Sequence, residues 1–195
     1  MADVIFHRDF LSRQECDALN DWVSLGVENK WLDAGMSRGS DWEYKSRLTT
    51  RNYGDRFEYP AIVYVISDRI TELLGISHLK RSIVGGGKDG VVVSYTLPSG
   101  DVYAHTDPME GDLHVLRCNV MTQAADAGAE LIIGGKKVEV GVGDLHCYLP
   151  SDVEHYVTTA QGDTPRIMWM FGYQISKREF LQIKERAEDA LAITD

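Results

Sequence analysis

The sequence contains no run of 18 apolar residues, so no segment reads as a membrane span. The opening residues, Met1 to Phe10, have no apolar core of the signal-peptide kind. Cysteine is scarce. Cys16, Cys118 and Cys147 are odd in number and form no CxxC pair, which speaks against a disulfide framework and for free thiols in a reducing compartment. The expected location is therefore cytoplasmic. Basic residues are also few, 20 against 30 acidic, for a net charge of −10. Phosphate recognition needs a basic footprint, so this balance argues against nucleic acid or an anionic membrane as the main partner. Repeats, low-complexity tracts and linkers are absent. A chain of 195 residues is enough for one well-buried domain and too short for two comfortable ones, so residues 1–195 read as a single domain.

The first half reads as helical. Ser12 and Glu15 form a capping box, and Cys16, Leu19, Trp22 and Val23 follow at helical spacing, predicting a helix over 13–24 closed near Gly26. Trp31 to Asp33 and Arg47 to Asn52 look like short strands around a loop from Ser37 to Ser40. Pro60 opens a second helix with an expected buried stripe of Ile62, Val65, Ile66, Arg69, Ile70 and Leu73, ending at Gly75. From Asp89 the pattern changes to strands at about 90–96, 101–107, 113–123, 129–133, 136–140, 144–149, 154–160 and 166–175. Gly134-Gly135 suits a tight hairpin turn. Ser176 and Glu179 cap a last helix with Phe180, Ile183, Ala187 and Leu191 on its apolar side. Residues 1–88 are thus expected to be a helical support or lid region, 89–176 a jelly-roll core and 177–195 a C-terminal helix. The fold class is mainly β with flanking helices: a double-stranded β-helix (jelly roll, cupin-like) with the N-terminal helices packed on one sheet.

The chemistry centres on His105-Thr106-Asp107. If Val102 to Asp107 is one strand, residues two apart share a face, so Tyr103, His105 and Asp107 stand side by side. A second imidazole, His155 on a later strand, would complete a two-His, one-carboxylate face, the set that suits non-haem Fe(II) with three positions open. On the strand after it, Arg166, Met168 and Met170 share one side, while Ile167, Trp169 and Phe171 share the other. The aromatic side reads as core against the helices. The arginine side is left for the lumen, where a guanidinium can hold a carboxylate by two charge-assisted bonds.

Together these residues resemble the HxD…H…R pattern of the Fe(II)/2-oxoglutarate-dependent dioxygenases. The flanking residues are most similar to the prolyl-4-hydroxylase-like branch: Tyr95 and Gly100 before His105, Arg117 followed by Gly128, Ala129 and Glu130, and His155-Tyr156-Val157 followed by Gly162 and Arg166. The resemblance runs from about Val91 to Ser176. Ala129 departs from it, standing where a second glycine is usual, and Tyr103 precedes His105 by two residues where three are expected. The resemblance implies iron held by His105, Asp107 and His155, with O₂ as oxidant and 2-oxoglutarate as co-substrate. The distal carboxylate of 2-oxoglutarate would lie on Arg166, with hydrogen bonds from Tyr95, Tyr103 or Asn119. It further implies hydroxylation or desaturation of a C–H bond with release of succinate and CO₂. Asp107 stands where the halogenating relatives carry a small residue, which favours a hydroxylase or desaturase.

Other residues admit two readings. Arg117 and Asn119 share a strand face that is either lumen, with Asn119 on the co-substrate and Arg117 on the substrate, or a polar solvent face. Arg47 and Arg51 share a face near Lys45 and Arg56, and either bind an acidic substrate group or are solvated charge. Trp31, Trp42, Tyr44 and Tyr53 nearby either line a pocket or pack. His114 and His146 read as hydrogen-bonded histidines, and the run from Gly85 to Lys88 as a flexible turn. The short chain favours a free amino acid or small molecule as substrate, with a peptidyl, prolyl-type side chain next. A cupin-like metal enzyme or a non-catalytic metal- or metabolite-binding sensor would share the ligands.

Overall fold

The computed structural model describes residues 3–34, 47–50, 57–82 and 87–192, with side chains to residue 187. Ser37 to Ser40, Lys45, Arg51, Arg56, Trp42, Tyr44, Tyr53, Gly85, Gly86 and the side chain of Leu191 lie outside the described residues.

Helix α1 (Arg13–Glu28) starts at the expected capping box, with Ser12 Oγ accepting from the Glu15 N–H at 3.3 Å and Glu15 Oε2 accepting from the Ser12 N–H at 2.8 Å. It does not stop at Gly26. The helix runs on to a cap at Asn29, and Gly26 is buried where a Cβ would sit 2.5 Å from Leu32 Cδ1, so this glycine serves close packing rather than termination. Helix α2 (Ala61–Leu74) ends as expected at Gly75, φ +66. Its buried face is rotated from the predicted stripe: Val63, Ile66, Ser67, Ile70 and Leu74 are buried, while Val65 and Leu73 are 55% and 45% exposed. Apolar residues surround more than half of this helix, so periodicity does not select a side. Helix α3 (Lys177–Ala192) is capped by Ser176 and buries Phe180 and Ile183. No described helix is long and apolar enough to cross a membrane.

Strands β1 (Ile5–His7), β2 (Asp33–Ala34) and β3 (Arg47–Thr49) come from the N-terminal part of the chain. They are followed by β4 (Val91–Thr96), β5 (Val102–His105), β6 (His114–Gln123), β7 (Ala127–Gly128), β8 (Leu131–Ile133), β9 (Lys136–Val138), β10 (Leu145–Tyr148), β11 (His155–Val157), β12 (Ala160–Gln161) and β13 (Arg166–Ile175). A seven-stranded sheet runs β1-β10-β6-β13-β4-β3-β2, a four-stranded sheet runs β5-β11-β8-β9, and β12 pairs with β7. All pairings are antiparallel, giving the jelly-roll architecture. The expected strand 154–160 divides in two: β11 joins β5 and β8, and β12 leaves to pair with β7. Gly134 and Gly135, φ +58 and +73, make the two-residue turn from β8 to β9.

The seven-stranded sheet is a partition. From β13, Ile167, Trp169, Phe171 and Tyr173 pack with α1, α2 and α3 in the larger core, as do Leu116, Cys118 and Val120 of β6 and Leu145 and Cys147 of β10. Period-two alternation sends the intervening residues, Arg117, Asn119, His146, Tyr148, Arg166, Met168 and Met170, to the opposite face, where they line a cavity between the two sheets. A smaller core of Val102, Leu131, Ile133, Tyr148 and Val157 closes the jelly roll beside it.

Gly128 has φ +64, and a Cβ there would lie 2.2 Å from the Thr159 carbonyl oxygen. Gly111 has φ +64 as well, with nothing within 4 Å of its would-be Cβ. Gly128→Ala is expected to cost about 2–3 kcal/mol by chemical denaturation and Gly111→Ala about 1 kcal/mol, the difference measuring the backbone clash.

Candidate metal centre

Antiparallel pairing of β11 with β5 puts His155 directly opposite His105. Their ring centroids are 4.3 Å apart, and the ligand atoms of His105, Asp107 and His155 all lie within 4.8 Å of one another. Each imidazole is oriented by its own strand. His105 Nδ1 donates to the Tyr103 carbonyl at 2.7 Å and His155 Nδ1 donates to the Val153 carbonyl at 3.2 Å. A carbonyl only accepts, so each Nδ1 carries a proton, and in a neutral ring held this way Nε2 is the atom left to bind a metal. Burial, then the neighbouring His105, pulls the His155 pKa down to about 4, so that imidazole is neutral at physiological pH.

Asp107 lies two residues beyond the end of β5, its N–H donating to the Pro150 carbonyl at 3.0 Å. Its Oδ1 is 3.6 Å from His105 Nε2, while Oδ2 faces the Arg117 guanidinium at 3.4 and 3.5 Å. Of the two readings open for Arg117, lumen or solvent face, the structure has it lining the cavity, against this carboxylate. One oxygen is thereby engaged by a cation and the other is directed at the two imidazoles. Two imidazole nitrogens and one carboxylate oxygen, converging on one cavity, fit a divalent transition metal such as Fe(II) with further positions left for ligands.

Arg166 lines the same cavity and is only 4% exposed, with no carboxylate paired to it among the described residues. Burial lowers its pKa to about 10, so it remains a cation at neutral pH. A buried guanidinium of this kind needs an anion.

A prolyl-4-hydroxylase from Pseudomonas putida is similar to this chain over 91% of its length and 94% of the other's, with a TM-score of 0.64 and 17% identity. A Trichoplax adhaerens prolyl hydroxylase, in complex with a hypoxia inducible factor oxygen degradation domain peptide fragment, matches with TM-score 0.64 and 15% identity over 92% and 86% of the two chains. The viral collagen prolyl hydroxylase of Paramecium Bursaria Chlorella virus-1 matches with TM-score 0.58 and 16% identity over 89% and 90%. The fold is that of the prolyl hydroxylases. No protein-family model and no curated protein matches the sequence.

On this prolyl-hydroxylase fold two expected residues stand elsewhere. Tyr95 alternates with Ser94 on β4; Ser94 lines the cavity, while Tyr95 packs on the helix side of the sheet. Tyr103 is 41% exposed, its ring 5.0 Å from that of His105, and does not line the cavity. The register of β5 slips against β11 between the His105–His155 and Val102–Val157 pairs, so three steps on one strand match two on the other. That irregularity resets the alternation, and Val102 and His105 both reach the cavity although they are three positions apart. Asn119, 5% exposed, lines the cavity, and Arg47 from β3 lines it too.

His146, expected as a hydrogen-bonded histidine, lines the cavity, and so does Tyr148, which no motif marks. Their signal was present, since Leu145-His146-Cys147-Tyr148 alternates apolar with polar along β10. His146 Nε2 accepts from Asn119 Nδ2 at 3.3 Å, and neither His146 Nδ1 nor Asn119 Oδ1 has a partner among the described residues. His114, by contrast, is engaged with Ser151 at 2.9 Å and Asp152 at 3.2 Å, outside the cavity. The Tyr148 phenol is pushed well up by burial, then by Asp107, and stays protonated as a donor.

Burial, then Arg166, holds the His146 pKa at about 3, against 6.5 for an ordinary imidazole. The unfolded chain therefore takes up a proton below pH 6.5 that the folded chain refuses until about pH 3, and stability falls as pH drops through that window. Each pH unit within it removes up to about 1.4 kcal/mol. In metal-free protein, His146→Gln is expected to flatten the slope of unfolding free energy against pH between 6 and 4, measured by urea denaturation at each pH.

Proposed function

We propose that this chain is an Fe(II)- and 2-oxoglutarate-dependent oxygenase that hydroxylates an unactivated C–H bond of a small molecule or amino acid. The observation that carries the reading is the convergence of His105, Asp107 and His155 in one cavity with the buried cation Arg166. The prolyl-hydroxylase fold supports it. Bound iron, with 2-oxoglutarate and O₂, supplies the oxidising power, one oxygen atom entering the substrate as the keto acid becomes succinate and CO₂.

The chain's own residues divide the remaining work. His105 and His155 offer Nε2 lone pairs fixed by their Nδ1–H bonds to backbone, and Asp107 offers one oxygen while Arg117 holds the other. Arg166 receives the distal carboxylate of 2-oxoglutarate. Tyr148 and Asn119 are the hydrogen-bonding groups beside it, in place of the Tyr95 and Tyr103 expected from sequence. Met168, Met170, Val102 and Val157 keep bulk water from the reacting carbon.

A peptidyl, prolyl-type side chain is the second reading, favoured by the peptide complex of the Trichoplax adhaerens neighbour. Succinate release and O₂ consumption, screened over amino acids, other metabolites and short proline peptides, separate the two. Failure of any Fe(II)-dependent succinate release would leave a cupin-like metal enzyme or a sensor. Two variants test the assignments. Asp107→Ala is expected to lose iron binding, and unchanged iron affinity would count heavily against the centre. Arg166→Gln is expected to raise the KM for 2-oxoglutarate on the order of 10- to 100-fold, from the loss of a charge-assisted contact.

A further inference from the structure

Two of the three ligand residues lean on the same short turn. Leu149, Pro150, Ser151 and Asp152 follow β10 and form a β-turn closed by the Asp152 N–H on the Leu149 carbonyl at 3.1 Å. Proline is favoured at the second position of such a turn because its ring presets φ. The Pro150 carbonyl accepts the Asp107 N–H at 3.0 Å. The carbonyl of Val153, the residue after the turn, accepts from His155 Nδ1 at 3.2 Å. Asp107 stands beyond the last residue of β5, so here a turn, and not a neighbouring strand, receives its N–H.

The turn is itself clamped from outside the cavity. Asp152 Oδ1 is 3.2 Å from Nδ1 of His114, the first residue of β6, and Asp152 Oδ2 is 2.7 Å from Nζ of Lys177, the first residue of α3. A carboxylate only accepts, so His114 Nδ1 carries a proton, and Ser151 Oγ, 2.9 Å away, is within reach of the same N–H. One carboxylate thus ties the turn to two elements from distant parts of the chain, each oxygen taking its own donor. The Asp152 and His114 side chains are 27% and 12% exposed, so water screens this pair only in part. Ion pairs near the surface contribute little to global stability. The clamp needs less than that. It has only to favour one conformation of a turn that carries two carbonyls, and a metal centre tolerates displacements of only about 0.5 Å in its donors.

We propose that Asp152 is a positioning residue for the metal centre: by fixing the turn 149–152 it holds the Pro150 and Val153 carbonyls, and through them Asp107 and His155, at the separation one divalent ion requires. This rests on the metal-centre reading above. Asp152 does not line the cavity and acts through the backbone of the turn.

The test uses the full chain with Co(II) as an oxygen-stable stand-in for Fe(II), its binding followed by visible absorption. Amide hydrogen exchange at Asp107 is followed by NMR in the metal-free protein. Asp152→Ala is expected to weaken Co(II) binding about 5- to 10-fold, at or below the low end of what removing a group directly behind a ligand costs. It is expected to speed exchange at Asp107 by a similar factor. Asp152→Asn, which keeps an acceptor, and Lys177→Met, which frees one oxygen, are expected to fall between it and wild type. Asp17→Ala, which removes an exposed ion pair with Arg13 on α1, is the control and is expected to change neither measurement. Thermal melting without metal checks folding, and if Asp152→Ala does not fold, Asp152→Asn and Lys177→Met carry the test. Unchanged Co(II) affinity in the folded variants, or an equal loss in Asp17→Ala, overturns the proposal. Unchanged exchange at Asp107, or a rise there no greater than at amides throughout the sheets, overturns it too. If wild-type protein binds no Co(II), the metal-centre reading fails and the proposal with it; once wild type binds, these outcomes bear on Asp152 alone.

Discussion

One antiparallel contact holds the site together: β11 against β5, with His155 across from His105. It brings two imidazoles from distant points of the chain to 4.3 Å between ring centres, and Asp107 follows two residues later on the same segment. Because side chains alternate, moving this register by one residue would turn one imidazole out of the cavity. The register is anchored on the far side of β11 by β8, whose hairpin with β9 is closed by Gly134 and Gly135. The backbone carbonyls of Tyr103 and Val153 then fix each ring. A loop of this kind without sheet support would leave the donors loose.

The seven-stranded sheet supplies the opposite wall, and its two faces have opposed chemistry. Behind it, Trp22, Phe57, Tyr59 and Trp169 pack as an aromatic cluster with ring centroids 5.0 to 5.8 Å apart. In front of it stand Arg117, Asn119, His146 and Arg166, all 5% exposed or less. Burying a guanidinium and an imidazole side by side is unfavourable for the fold, as the depressed pKa values of His146 and Arg166 record. Close packing on the helix side offsets that cost and keeps the cavity wall rigid, a condition for holding ligands at fixed positions. Stability is thus concentrated on one face of the sheet and chemistry on the other.

Much of this was legible along the chain. The capping box at Ser12, the stop at Gly75 and the two-glycine turn are signals between residues a few positions apart, and each forms as read, while at Ser176 the hydroxyl caps the Glu179 N–H and Glu179 Oε1 meets His78. The division of β13 into Arg166, Met168 and Met170 against Ile167, Trp169 and Phe171 follows from alternation alone, and the cavity lies on the arginine side. The buried face of α2 was not legible, because apolar residues lie on several of its sides and packing partners choose among them. Strand β1, with three residues, carries no periodic signal at all and exists through its pairing with β10.

The residues around the ligands divide on the same principle. His105 and Asp107 stand out by their two-residue spacing and Arg166 by the alternation of β13, signals that act between neighbours in the chain, whereas His155 reaches them through the pairing of β11 with β5. Tyr103 is excluded from the cavity by a slip in register, Tyr95 by the face β4 turns to the helices, and Arg117 is drawn to Asp107. His146 and Tyr148 enter because β10 lies beside β6. These outcomes depend on which strand lies beside which and in what register. Contacts of that kind join residues far apart in the chain, so local spacing carries no record of them and folding alone selects them.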